Sequence, residues 1–219
     1  ILNVADRREI ARRMGSIGYT AIVDASVAQD SDHPDRHALT LEQSGLGLPG
    51  RDYYLKKEEP YAGFRVAYAN YIEGVFARAG VPGGRSRAAA ILAFETAVAR
   101  AHWTPAMERD AVRNHHPMSV HALHRHAPGF DWPAFLGAAG FGDARRVDLR
   151  NDSAIRAMAA LFARTPVETL RAYTAFHYLD NQAPLLSDDW VDAHFDLYSR
   201  RLAGINEQRP LDKRALDFL

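Results

Sequence analysis

The sequence predicts a mainly α-helical protein with a small β-hairpin near its N-terminus. Three observations lead to this fold class. Apolar residues recur at helical spacing through most of the chain beyond Glu58, and glycine or proline interrupts them at short intervals. The alternation of apolar and polar residues that is typical of strands is largely confined to two short stretches before residue 42. No fixed-period repeat is present, which argues against a solenoid.

Residues 1–57 are predicted to contain a helix, the hairpin and a loop. Ile10, Met14 and Ile17 recur at helical spacing among arginines and predict an amphipathic helix. Two β-type stretches flank a polar segment and predict the hairpin, and a run rich in glycine and proline predicts a shaped loop. These elements are the helix 4–17, the strands 21–27 and 37–41, and the loop 44–50.

Residues 58–219 are predicted to form a helical region. One short helix is expected after Ser119 and another from Asp131, whose side chain can cap it. The capping box from Thr165 to Glu168 gives the strongest helix start, and Ser187 with two following aspartates opens the next helix. The longer predicted helices cover 60–79, 86–102, 165–181 and 187–202, with an extended piece at 146–149 and the start of a further helix at 213–219.

Composition excludes several classes of function. Lys and Arg total 27 and Asp and Glu total 27, and this zero net charge removes the long-range attraction on which nucleic-acid and anionic-membrane binders depend. Cysteine is absent, which excludes disulfides, thiolate zinc sites and a cysteine nucleophile. No run of about 18 apolar residues could span a bilayer. The first residues are neither an initiator nor a signal peptide, so we expect a longer parent protein.

Histidines form the densest titratable cluster, but they do not predict a metal site. No His-Glu-x-x-His sequence, P-loop, dinucleotide fingerprint or Gly-x-Ser-x-Gly elbow occurs, so no catalytic or cofactor-binding residue is predicted. His121 and His124 could share a helix face as a metal-binding pair, and His115, His116 and His126 lie nearby. The pair lacks a third ligand, because His126 points elsewhere on a helix. A partly exposed helix without metal is the favoured interpretation.

Carboxylates give a second candidate. Glu108 and Asp110 flank Arg109, and Glu95 lies one helix upstream, so the group could act as an acid and base. An ion-pair network that ties two helices together is favoured instead, because an arginine between carboxylates stabilises their ionised forms. The adjacent pair at 51–52, Arg-Asp, is expected to pin the glycine loop through hydrogen bonds.

One segment resembles a known family. The run from Gly45 to Leu55 is similar to the Gly-Leu-Gly-Leu-Pro-x-Arg-Asp-Tyr-Tyr segment of the neprilysin-type zinc metallopeptidases, which include bacterial oligopeptidases and endothelin-converting enzymes. Further matching features follow in the family's order over nearly the whole chain. They are Glu95 and Ala99 before Trp103, the triplet 108–110, Phe130-Asp131-Trp132, the helix from Leu170 to Tyr178, Leu202-Ala203-Gly204 and Arg209-Pro210.

The resemblance implies that the chain is the helical covering, or lid, domain of a bacterial oligopeptidase-like member. In the family this domain and a thermolysin-like domain enclose a chamber that admits peptides and excludes folded proteins. The zinc ligands and the general base lie C-terminal to the last residue here, so the resemblance implies zinc in the intact enzyme and none in this chain. The implied partners are peptide substrates and the remaining C-terminal portion, which holds the zinc that activates water for hydrolysis.

Two further expectations come with the resemblance. The absence of cysteine is more similar to bacterial periplasmic or secreted members than to the disulfide-containing animal ones, so that location is expected. This chain alone is expected to be inactive, and the intact protein is expected to be an endopeptidase. The alternative is a noncatalytic helical domain that binds peptides or proteins.

Overall fold

The computed structural model describes residues 3–4, 6–210 and 213, and it is mainly helical with one small sheet. The helix predicted at 213–219 lies outside the described residues apart from Lys213. The α-helices are α1 (Arg7–Met14), α2 (Arg51–Leu55), α3 (Tyr61–Arg78), α4 (Gly84–Ala101), α5 (Pro105–Glu108), α6 (Val120–His126), α7 (Trp132–Ala138), α8 (Asp152–Arg164), α9 (Val167–Gln182) and α10 (Asp188–His194). The strands are β1 (Val23–Gln29), β2 (His37–Gln43), β3 (Pro117–Ser119) and β4 (Arg146–Leu149).

The sheet contains the predicted hairpin and extends it. Its strand order is β1-β2-β4-β3, with β1 antiparallel to β2, β2 parallel to β4 and β3 antiparallel to β4. The hairpin and the extended piece at 146–149 are confirmed. The prediction did not join them, because a parallel pairing between Thr40 and Asp148 leaves no local sequence signal. It also missed β3, which has only three residues.

Helix α9 lies at the centre of the helical region. It contacts α1, α3 and α4, and its buried residues occur on more than one side, among them Tyr173, Phe176 and His177. A helix that is surrounded in this way is held by packing rather than by one amphipathic stripe. Tyr173 packs edge-on against Phe94 of α4, with ring centroids 5.0 Å apart. Within the described residues, none of the helices combines the length and apolar character that crossing a bilayer requires.

Local capping explains where several helices begin. Ser119 Oγ accepts a hydrogen bond from the Ala122 amide at 3.1 Å, and Asp131 Oδ1 accepts one from the Ala134 amide at 3.0 Å, so the starts of α6 and α7 are as predicted. The capping box at Thr165 is wrong. The Thr165 hydroxyl donates to the Leu161 carbonyl of α8 at 2.7 Å and no side chain caps α9, because one residue cannot serve both helix ends. The helix itself is confirmed.

The two ends of the described chain also differ in detail from the prediction. α1 begins after Asp6, which accepts from the Glu9 amide at 2.8 Å, and it ends at Met14. Ile17 therefore lies outside the helix and is fully exposed, because the glycines around it turn the chain. The last helix reaches residue 202 as predicted, but α10 passes into a π-helical segment, Phe195–Leu202. The division into residues 1–57 and 58–219 stays a prediction.

Candidate functional site

The histidines singled out in the sequence do not converge on a metal site. His121 is exposed on α6 and His124 is half-buried, while His126 Nε2 lies 3.8 Å from Asp152 Oδ2. Among the described residues there is no group of three or more His, Asp or Glu side chains that could hold a metal ion. The hypothetical metal site at His121 and His124 therefore has no third ligand among the described residues.

The acidic group predicted around Arg109 is also not assembled. Glu108 accepts a short hydrogen bond from the Gln43 side-chain amide, and Asp110 accepts from the Arg113 amide at 3.1 Å. Glu95 lies apart from them in the protein core. The predicted ion-pair network between Glu95 and residues 108–110 is thus wrong, because α4 turns Glu95 inward while residues 108–110 lie near the surface.

Glu95 is the centre of a buried polar cluster that links four helices. Tyr54 of α2 donates to Glu95 Oε2 at 2.7 Å, and Tyr68 of α3 donates to Oε1 at 3.0 Å. His177 Nε2 of α9 lies 2.7 Å from Oε1. Glu95 itself has 0% of its surface exposed, so a carboxylate here is stable only because these partners replace water. We call these four residues the glutamate cluster.

The tyrosines of the glutamate cluster are fixed as donors. Burial raises the pKa of Tyr54 and Tyr68 well above its usual value, and the nearby Glu95 carboxylate adds to the effect. Both hydroxyls therefore keep their protons at physiological pH. Sequence reasoning missed His177, and the signal that could have found it is a histidine one helical turn after Tyr173 and therefore on the same helix face.

The glycine loop rests directly on this cluster. The Leu48 amide donates to Tyr54 Oη at 2.9 Å, and Tyr173 Oη donates to the Gly45 carbonyl at 3.0 Å. A Cβ on Gly47 would lie 1.9 Å from Tyr68 Oη, and Gly45 has a positive φ of 94°. Both positions therefore require glycine. The sequence motif that carries the family resemblance thus encodes a close approach between a loop and a buried cluster.

The residues predicted to pin the loop have other partners. Arg51 Nε donates to the Ala99 carbonyl of α4 at 3.4 Å, and Asp52 pairs with Lys56 at 3.0 Å. The prediction that Arg51 and Asp52 hold the loop is therefore wrong. Tyr54, two positions later in the same motif, pins the loop instead, because the first turn of α2 directs its ring inward.

An open groove runs beside the glycine loop. It has a volume of about 300 Å³ and is lined by Leu46, Pro49, Arg51, His102 and Glu108 among others. His102 Nε2 lies 3.0 Å from the Ser44 carbonyl, and burial lowers the pKa of His102. The groove presents both apolar and polar surface, with the charged side chains of Arg51 and Glu108 in its lining.

A second buried carboxylate joins the end of the described chain to the core. Asp180 of α9 accepts from Tyr71 Oη at 2.7 Å and from Tyr198 Oη at 2.8 Å. His194 Nε2 lies 4.0 Å from Asp180, and burial lowers the pKa of His194. Because Tyr198 belongs to the π-helical segment, Asp180 fixes that segment against α3 and α9.

A third cluster lies at the sheet and is more exposed. His115 Nδ1 lies 2.9 Å from Asp148 Oδ2, and Nε2 lies 3.2 Å from Asp32 Oδ1 in the hairpin loop. Arg150 Nε also lies 2.9 Å from Asp148 Oδ2. The Asp148 carboxylate raises the pKa of His115, and Asp32 contributes in the same direction. We call His115, Asp32, Asp148 and Arg150 the sheet cluster, and it adjoins a cavity of about 370 Å³.

Comparisons with known proteins agree with the motif and the fold. The sequence model of peptidase family M13 matches residues 3–219. Endothelin-converting enzyme 1 of Rattus norvegicus is 28% identical over 176 residues, which cover 76% of this chain and 23% of that protein. The same enzyme of Cavia porcellus is 36% identical over 115 residues, covering 50% of this chain and 15% of that protein.

Solved structures give the same result. The zinc metalloprotease Zmp1 of Mycobacterium tuberculosis in its open state matches with a TM-score of 0.91 and 28% identity, over 98% of this chain and 34% of Zmp1. Its inhibitor complex matches with a TM-score of 0.92 and 27% identity. The matched regions thus cover only 15% to 34% of these relatives' own length. Because the family match extends over almost all of its residues, the chain belongs to peptidase family M13, within the N-terminal domain of that family.

Proposed function

We propose that this chain forms the helical wall of the substrate chamber in a zinc metalloendopeptidase and restricts the size of the peptides that enter. The observation that carries the proposal is the extent of the likeness to a zinc metalloprotease, which covers 98% of the chain at a TM-score of 0.92 for the inhibitor-bound form. Almost the whole chain therefore has the same fold as the matched part of that metalloprotease.

The glutamate cluster supports the role of a wall. A chamber that admits peptides and excludes folded proteins needs walls that keep their shape. Tyr54, Tyr68, Glu95 and His177 come from four different helices and meet at hydrogen-bond distance without exposure to water. Because no one of these helices can move without breaking a buried hydrogen bond, the cluster resists deformation.

The proposal assigns zinc and the catalytic groups to the remainder of the protein. The chain spans 34% of Zmp1, and its described residues hold no group of three metal-binding side chains. Its partners would be that remainder and the peptide substrates. We also propose a periplasmic or secreted location in a bacterium, which is supported by the absence of cysteine together with the resemblance to bacterial members.

The test compares the intact protein with this chain alone. Internally quenched peptides of increasing length and a folded control protein serve as substrates. We expect the intact protein to cleave short peptides, to spare the folded protein, to lose activity with a chelator and to regain it with zinc. The isolated chain should cleave nothing. Hydrolysis by the isolated chain would refute the assignment of the catalytic groups to the remainder of the protein. Peptide binding without hydrolysis by the intact protein would favour a noncatalytic binding domain.

Fractionation of the source bacterium tests the proposed location. A cytosolic protein would contradict it.

A further inference from the structure

Strand β1 has a free edge. The Ser44 amide donates to the Ile22 carbonyl at 3.1 Å and the Asp30 amide donates to the Arg36 carbonyl at 3.0 Å, at the two ends of the β1–β2 register. Backbone groups alternate in direction along an antiparallel strand, so those of Val23, Ala25 and Val27 point away from β2. Within the described residues these outward N–H and C=O groups have no hydrogen-bond partner. Val23 is only 1% exposed, so the accessible part of the edge is at Ala25 and Val27.

The usual protections of an edge strand are missing from β1. Its seven residues contain no proline and no lysine, and its register with β2 is free of bulges. Asp24 is its one charged residue, and Val27 has 58% of its surface exposed. A strand with these properties is a template on which another extended chain can form hydrogen bonds.

A cavity adjoins the first half of this edge. It has a volume of about 340 Å³, and its lining includes Ile17, Tyr19, Val23, Ala25 and Phe135. Ile17 is fully exposed at its rim. The lining also includes the polar residues Ser16, Thr20 and Asp24. An edge that offers backbone hydrogen bonds beside a cavity has the two parts of a strand-addition site, because the backbone gives affinity and the cavity accepts a side chain.

Charge on one face of the hairpin indicates what the added chain should carry. Asp24 lies opposite Glu42 in the β1–β2 register, and both are exposed. Neither carboxylate forms an ion pair in the part of the chain that the structure describes. Two like charges in opposite positions disfavour the pair, and a lysine or arginine on a neighbouring strand would relieve them.

We propose that β1 binds an extended segment of the peptide substrate as an additional strand, with one side chain in the adjoining cavity and a basic side chain beside Asp24 and Glu42. The inference rests on the proposed function, because it takes the peptide substrate as the occupant. A backbone ladder is largely independent of sequence, so this site suits an enzyme that accepts many different peptides.

The first test uses a matched pair of variants of the intact protein. Val27→Pro removes an outward amide that β2 does not use, whereas Val27→Thr keeps that amide and the branched side chain. Binding of a fluorescent peptide with lysine at alternate positions is measured by anisotropy on zinc-depleted protein. We expect Val27→Pro to weaken binding about tenfold, as for the loss of one good hydrogen bond, and Val27→Thr to leave it unchanged. Equal binding by the two variants overturns the proposal.

The second test begins with the unaltered protein. The same peptide is methylated on one backbone nitrogen at a time, and binding to the unaltered protein should weaken at every second position. Asp24→Lys should remove the preference for basic over acidic peptides. Sensitivity without a two-residue period overturns the proposal, and so does a concentration-dependent dimer that Val27→Pro abolishes while peptide binding persists. If the protein hydrolyses peptides but binding shows no two-residue pattern, this site is refuted and the proposed function stands. If binding shows the pattern but no hydrolysis occurs, this site stands and the proposed function is refuted.

Discussion

The glutamate cluster and the sheet cluster are built from similar side chains and differ in their access to water. In the glutamate cluster, Glu95 and His177 are buried and tyrosine hydroxyls occupy the remaining acceptor positions. In the sheet cluster, His115 keeps 20% of its side chain exposed, and its partner Asp32 keeps 52%. Burial keeps the tyrosine hydroxyls of the first cluster protonated at physiological pH, whereas the second cluster should respond to pH through His115.

The buried cluster explains the role of the family motif, the run from Gly45 to Leu55. A motif that places charged residues next to glycines is easily assigned to catalysis. Here the glycines allow a loop to approach Tyr68 and Tyr173, and the charged pair of the motif, Arg51 and Asp52, binds elsewhere. The motif therefore specifies a buried junction. Substitutions in it should lower the stability of the fold more than they alter peptide binding.

The largest effect is expected from Glu95→Ala. This change leaves the hydroxyls of Tyr54 and Tyr68 buried without their acceptor, and we expect the free energy of unfolding to fall by about 3–5 kcal/mol. Urea denaturation followed by circular dichroism measures it. Glu73→Ala is the control, because Glu73 is 42% exposed and lies 3.6 Å from a highly exposed arginine, so its loss should cost less than about 1 kcal/mol. Similar losses for the two variants would contradict the distinction between buried and exposed carboxylates.

Gly47→Ala should have the next largest effect. The new methyl group would lie 1.9 Å from Tyr68 Oη, and that ring is buried and bonded to Glu95, so it cannot move away. We expect a loss of about 2–3 kcal/mol in the free energy of unfolding. Gly50→Ala is a close control in the same loop, since a Cβ there meets nothing within 4 Å. If both variants unfold at the same urea concentration, the loop does not rest on Tyr68 as described.

Tyr54→Phe isolates one hydrogen-bonded position in the glutamate cluster. The change removes the donor to Glu95 and the acceptor of the Leu48 amide while it keeps the ring, so we expect a loss of about 1–2 kcal/mol. Tyr53→Phe is the matched control, because the adjacent ring is only partly buried and packs against other aromatic rings. Thermal unfolding of the two variants side by side measures the difference, and a larger loss for Tyr53→Phe would contradict it.

Much of the fold could be predicted from the sequence, because it depends on local signals. The long helices follow from apolar spacing, and the cap at Asp131 follows from its own residue type. The capping box at Thr165 failed because a local pattern does not show which of two helices a hydroxyl will serve. The parallel pairing of β2 with β4 and the position of β3 depend on contacts between distant residues, which no local pattern contains.

The sites were less predictable than the fold for the same reason. Glu95 is separated by 41 residues from Tyr54 and by 82 from His177, and the prediction joined it to nearby charges instead. His115 was recognised only as one histidine among several, because its partners Asp32 and Asp148 lie on other parts of the chain. Sequence identified residue types that could carry chemistry, and tertiary packing decided which of them meet.

The smallest effect is expected from His115→Gln, and it should depend on pH. Because Asp148 and Asp32 raise the pKa of His115 in the folded protein, the charged pair stabilises the fold fully below the unfolded value of about 6.5 and loses that contribution as pH rises through the folded value. We expect His115→Gln to cost about 0.5–1 kcal/mol near pH 5.5 and less near pH 8.5. Arg150 still neutralises Asp148 in the variant, which keeps the loss small. Urea denaturation at both pH values measures it, and His121→Gln on the exposed side of α6 controls for replacing a histidine outside an ion pair. A cost that grows with pH would show that the neutral ring, rather than the charged one, holds the hairpin loop to β4.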